Sequence, residues 1–259
     1  MGLYDSIKDI IKEEGISTKD HFTSYPTGID LFDYRIGFYD PISQEINTGL
    51  QSGKLFTVLG RSGSGKTTFA IQTAGSIVDK YDNGVVLHLD FEDATSVSRI
   101  MHLNNWDKET YNSKYQLLKG GISSEKVYSL AKGIEKTKKE KYDDIKIDSG
   151  KKDDEGNIIY ELPPTVIIID SVATMFSAKI IEEEQMGGQM DVTAQAKQNN
   201  TLIKRLSGSS LLSDANIIII AINHITTKID INPMQKTPAA INYLKQDESV
   251  PGKQSHCPA

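Results

Sequence analysis

Residues 60–67 read Gly-Arg-Ser-Gly-Ser-Gly-Lys-Thr, and this octapeptide constrains the chain more than any other stretch. Closely spaced glycines let successive backbone N–H groups turn inward around phosphate oxygens, and a helix starting where the turn ends adds the positive end of its dipole. The motif has meaning only between a strand and a helix. Residues 54–60 supply an aliphatic strand pattern and residues 67–79 a helical one. Gly60, Arg61, Ser62, Gly63, Ser64 and Gly65 are therefore expected to cradle phosphates, with Lys66 reaching the β and γ phosphates. Thr67 would offer its hydroxyl to Mg²⁺, and Thr68 extends the same polar edge. The ligand expected is ATP with Mg²⁺.

The rest of the chain supplies a matching scaffold. Residues 84–90, 165–170 (TVIIID) and 216–221 (NIIIIA) read as strands, the last two as unbroken runs of β-branched residues. Such runs suit parallel strands covered on both faces, and helical patterns lie between them. The expected class is α/β, with a mostly parallel central sheet flanked by helices. A length of 259 residues, 38% hydrophobic and 25% charged, fits one globular domain and excludes a wholly disordered chain. No apolar run approaches the roughly 20 residues of a membrane helix, so no membrane partner is expected. A single cysteine, Cys257, excludes an internal disulfide, and residues 1–16 carry no secretory pattern, so cytoplasmic residence is expected. The net charge of −6 leaves nucleic-acid binding open, because a local basic groove can sit on an acidic protein.

Two segments stand outside this scaffold. In residues 1–20, Leu3, Ile7, Ile10 and Ile11 share one helical face, which would dock equally well on its own domain or on a neighbouring subunit. Residues 137–164 begin with a dense run of Lys, Asp and Glu and read as an inserted, solvated loop or hairpin. Residues 21–259 would form the core.

Three strand ends carry further chemistry. Asp170 closes an apolar strand, the arrangement that holds Mg²⁺ opposite the loop threonine. Asp90 and Glu92 end another strand at i and i+2, on one side of an extended chain. Ligands bind beyond the carboxyl ends of parallel strands, so Glu92 is a candidate general base for water and Asp90 its supporting partner. Asn223 and His224 follow the NIIIIA run, where either can hydrogen-bond a γ-phosphate and report its presence.

With these pieces in this order, the chain resembles the RecA-type recombinase core and, within it, the bacteriophage strand-exchange recombinases, from about residue 27 to residue 252. The resemblance rests on Thr27-Gly28-Ile29-Asp30-Leu31-Phe32, on Ile169-Asp170-Ser171-Val172-Ala173, and on the stretch from Ile181 to Met190 (IEEEQMGGQM). It implies a RecA-like phosphate-loop fold and a DNA-dependent ATPase in which Glu92 matches the catalytic glutamate and Asn223 and His224 match the γ-phosphate sensors. It further implies DNA-binding loops near 178–196 and 225–250, carrying Met186, Gly187, Gly188, Met190, Lys197, Lys228, Lys236 and Lys245. The implied partners are single-stranded DNA without base specificity, further copies in a helical filament, and loader or single-strand-binding proteins; the compartment would be a bacterial host's cytoplasm. Residues 226–248 are polar, with Pro233 and Pro238, and long loops without structure are usually functional or disordered. Lysines there would meet phosphates while Met186 and Met190 pack against bases. The chain departs from the family in having His224 where glutamine is usual, which would add pH sensitivity. It also has Lys253 after Pro251-Gly252, and ends at Ala259, short of the family's usual C-terminal region. Rival expectations are a ring helicase, a regulatory ATPase, or a truncated DNA-binding relative without strand exchange.

Overall fold

The computed structural model describes residues 6, 7, 10, 23–40, 45–120, 122–152, 156–175, 189–208, 210–228 and 247–249. Five parallel strands form the central sheet: β1 (Leu55–Gly60), β2 (Val85–Asp90), β3 (Tyr115–Lys119), β4 (Thr165–Asp170) and β5 (Ile217–His224). Their spatial order is β1-β5-β4-β2-β3, so one strand separates the glycine-rich loop from the Asp170 strand. The connections carry α1 (Lys66–Val78), α2 (Val97–Asn104), α3 (Lys108–Lys114), α4 (Ser124–Glu140) and α5 (Gln189–Ser207).

The isoleucine runs explain the layering. Alternate side chains of a strand point to opposite faces. Val166, Ile168, Ile218, Ile220 and Ile222 join Ala70, Ile71, Ala74, Ile77 and Val78 of α1 on one face. Ile167, Ile169, Ile217 and Ile219 pack on the other against Leu202 and Leu206 of α5 and Val127 and Ala131 of α4. Each buried Val, Leu or Ile side chain contributes about 1.5–3 kcal/mol. Helix starts are set locally: Ser96 accepts from Arg99 N, Asp107 from Thr110 N and Ser123 from Lys126 N.

Two regions differ in detail from the sequence expectation. β5 runs on through Asn223 and His224, which pair with Leu59 and Gly60, so these residues lie within the strand. In the 137–164 stretch, the first charges close α4, where Lys139 pairs with Glu135 at 2.7 Å and Lys136 with Glu140 at 3.8 Å. A helix at Tyr142–Ile145 and an antiparallel hairpin of Ile147–Lys152 with Ile158–Glu161 follow. Charges spaced four apart belong to the wet side of a helix as readily as to a loop. Of the N-terminal stripe, Ile7 and Ile10 are described and exposed; Leu3 and Ile11 lie outside the described residues. Among the described residues no helix is long and apolar enough to cross a membrane.

Candidate nucleotide site

Parallel pairing brings the predicted residues to one edge of the sheet. Asp170 stands level with Asp90 on one side of β4, and His224 stands level with Gly60 on the β1 side of β5. From Gly60 the loop turns outward through Arg61, Ser62, Gly63 and Ser64, all exposed from Arg61 on, and enters α1 at Gly65. Gly63 and Gly65 adopt φ of 75° and 85°, a left-handed backbone that side chains with a Cβ disfavour. Lys66 is buried, and its Nζ donates to Arg61 O at 2.8 Å, bending the ammonium over the loop.

Thr67 Oγ1 donates to Asp170 Oδ2 at 2.6 Å. A hydroxyl and a carboxylate oxygen at this spacing form a hard, all-oxygen donor pair, which fits Mg²⁺ completed by phosphate oxygens and water. Electrostatics agree: burial pushes the Asp170 carboxyl up from its ordinary value, the Thr67 hydrogen bond opposes this, and the nearby charges of Glu92 and Asp90 add to it. A carboxylate in that position gains from a cation. The Asp170–Ser171 peptide is cis.

Glu92 and Asp90 part company. Asp90 is fully buried, and its carboxylate accepts from Ala94 N at 3.3 Å and Thr95 N at 2.9 Å, while Lys119 lies 4.0 Å away. It holds the turn after β2. The period-2 rule applies only while the chain is extended, and β2 ends at Asp90. Glu92 instead reaches His224, whose Nε2 lies 2.9 Å from Glu92 Oε1. Burial works against the Glu92 charge, but hydrogen bonds from Ser171 and His224 and the charges of His224 and Lys66 outweigh it and hold the carboxyl below its ordinary value. Asn223 is buried, and its Oδ1 accepts from His224 N at 2.9 Å.

One residue escaped the sequence reading. Arg99, on α2, donates through Nη2 to Thr68 Oγ1 at 2.7 Å, adding a cation beside the start of α1. Its signal is tertiary, since 31 residues separate the partners. A cavity of about 1040 Å³, lined by Val85, Leu87, Leu118, Ile122, Leu130 and Ile134 among others, holds none of the predicted site residues.

The predicted DNA-contacting residues scatter differently. Lys197 is exposed on α5; Met190 falls in the same helix, and Lys228 in a short strand, Thr226–Lys228, that pairs antiparallel with Asp247–Ser249. Met186, Gly187, Gly188, Lys236 and Lys245 lie outside the described residues.

Comparison with curated proteins gives no match. The model of a protein family described as "ATPase: KaiC" matches residues 25–203, which span most of the chain and include the glycine-rich loop, Glu92 and Asp170. Together with the five-stranded parallel sheet, the match makes this chain a member of the KaiC ATPase family, built on the RecA-like phosphate-loop fold.

Proposed function

We propose that the chain is an ATP-dependent DNA recombinase core, in which ATP bound at the 60–67 loop orders two loops onto single-stranded DNA within a filament. In the hydrolytic step, Lys66 exchanges its bond to Arg61 O for phosphate oxygens, and Thr67 and Asp170 hold Mg²⁺. Bound there, Mg²⁺ neutralises charge on the phosphates. Glu92 takes a proton from the attacking water; a bond forms from the water oxygen to the terminal phosphorus, and the bond to the leaving ADP oxygen breaks. Asn223 and His224 sense the terminal phosphate.

The observation that carries the DNA part of this reading is positional. β4 ends at Asp170 and β5 at His224, so the segments resembling DNA-binding loops both follow strands that end at the nucleotide edge. A ligand that moves either strand end is coupled to the loop beyond it. Fluorescence anisotropy with labelled oligonucleotides tests this. ATP-dependent binding of a single strand, weakening steeply with salt as phosphate contacts demand, is the expected result. Equal binding with and without ATP, or none, would contradict it.

A second reading has its own support. The matching family model is that of a KaiC ATPase and stops at residue 203, before β5 and the 225–250 segment. Another RecA-like ATPase, a ring motor or a regulatory ATPase acting on proteins, would keep the nucleotide chemistry and lose the DNA dependence.

A further inference from the structure

His224 and Glu92 are each placed by backbone bonds, so their contact is a built feature. β5 is held to β1 through the His224–Gly60 register, and Phe91 N, next to Glu92, donates to Asp170 O at 2.7 Å. The two side chains remain 26% and 30% exposed, open enough for a ligand to reach them. An ionised carboxylate only accepts, so the His224 Nε2 facing it must carry the proton. That nitrogen has one proton and serves one acceptor fully at a time.

We propose that His224 is a latch on Glu92: its Nε2–H holds the carboxylate, and the terminal phosphate of ATP, competing for the same N–H, frees Glu92 to accept a proton from water. This rests on reading Glu92 as the base and deepens that reading into a means of regulation. A carboxylate relieved of a hydrogen bond is more basic, so phosphate arrival would both position the sensor and activate the base. Lys66 stands in the same relation to its own partner, because its bond to Arg61 O is one that phosphate oxygens would replace. The site thus has two protein–protein contacts that a bound triphosphate would exchange together.

Lys66 from α1 is a further charge beside Glu92, and Ser171 adds a hydrogen bond to its carboxylate. Glu92 gives turnover an acid limb only at low pH, because its carboxyl is held below its ordinary value.

The test is binding of a non-hydrolysable ATP analogue with Mg²⁺, and of ADP, to the full chain as wild type, Glu92→Ala, His224→Ala and the double variant, with melting temperatures as a folding control and steady-state ATP hydrolysis by Glu92→Gln alongside. Breaking the latch uses up part of what His224 gives the terminal phosphate, so His224→Ala is expected to weaken analogue binding about threefold or more beyond its effect in wild type when Glu92 is already Ala, with no such excess for ADP. An equal loss in both backgrounds, or the same excess for ADP, overturns the latch. Turnover retained in Glu92→Gln would instead overturn the reading of Glu92 as base, so the two failures are distinguishable.

Discussion

Asp90, Glu92 and Asp170 are three carboxylates within one corner of the sheet, and their surroundings separate them. Asp90 is saturated by the backbone it caps, Glu92 is paired with His224, and Asp170 is buried beside Thr67 with its carboxyl pushed up. An acid whose folded value lies above its unfolded value binds more protons when folded. Its ionisation therefore costs stability once pH rises past the unfolded value. Asp170→Asn keeps an oxygen for the Thr67 hydroxyl and removes that cost. It is expected to leave the melting temperature at pH 7 equal to wild type or higher without Mg²⁺, and to abolish the extra stabilisation that Mg²⁺ adds in the presence of ATP. A lower melting temperature together with an intact Mg²⁺ effect would remove Asp170 from the metal side. The loop and Asp170 were legible in the sequence because phosphate and Mg²⁺ chemistry allows few residue types at fixed spacing. Arg99 and the backbone-capping role of Asp90 were not, because each depends on how a chain folds back after a strand ends.

At the level of elements, the sheet was legible where residues are uniformly aliphatic and less so at its margin. β3 was not singled out: Tyr115-Gln116-Leu117-Leu118-Lys119 is an edge strand without an isoleucine run. What fixes it to β2 includes a buried contact, His88 Nδ1 to Tyr115 OH at 2.8 Å, within an aromatic group that includes Trp106 and Tyr111. Burial pulls the His88 imidazole down from 6.5 to about 4, the Asp90 charge opposing this and Lys119 assisting it. Below 6.5 the unfolded chain takes up a proton that the folded chain refuses, so stability falls between pH 6.5 and about 4, by at most about 3 kcal/mol from this group. Urea titrations should show that fall flattened in His88→Asn, which keeps a polar atom for Tyr115. An identical slope in the variant would show that His88 does not set it. Lys138 illustrates the same limit of sequence reading. It belongs to a charged run, yet it is buried, and its Nζ donates to Pro163 O at 2.7 Å and Ala215 O at 2.8 Å, tying α4 to the segments that precede β4 and β5.

Across the whole molecule, the parallel sheet gathers every reactive group at its carboxyl edge, and the chain leaves β4 and β5 from that edge into the segments that resemble DNA-binding loops. Under the proposed function, this geometry would couple nucleotide chemistry to whatever those segments hold. The RecA-like class was legible because the loop, the Asp170 strand and the β5 strand occur in order. The partner was not, because Lys236, Lys245 and Met186 belong to polar segments without the periodicity that ties sequence to structure. The most direct measurement is ATP hydrolysis by the purified chain, with and without single-stranded DNA, beside Lys66→Ala and Glu92→Gln. The expected result is turnover stimulated by the single strand and reduced at least about a hundredfold in both variants. Turnover that ignores DNA would contradict the recombinase reading, and turnover that survives both substitutions would contradict the site itself.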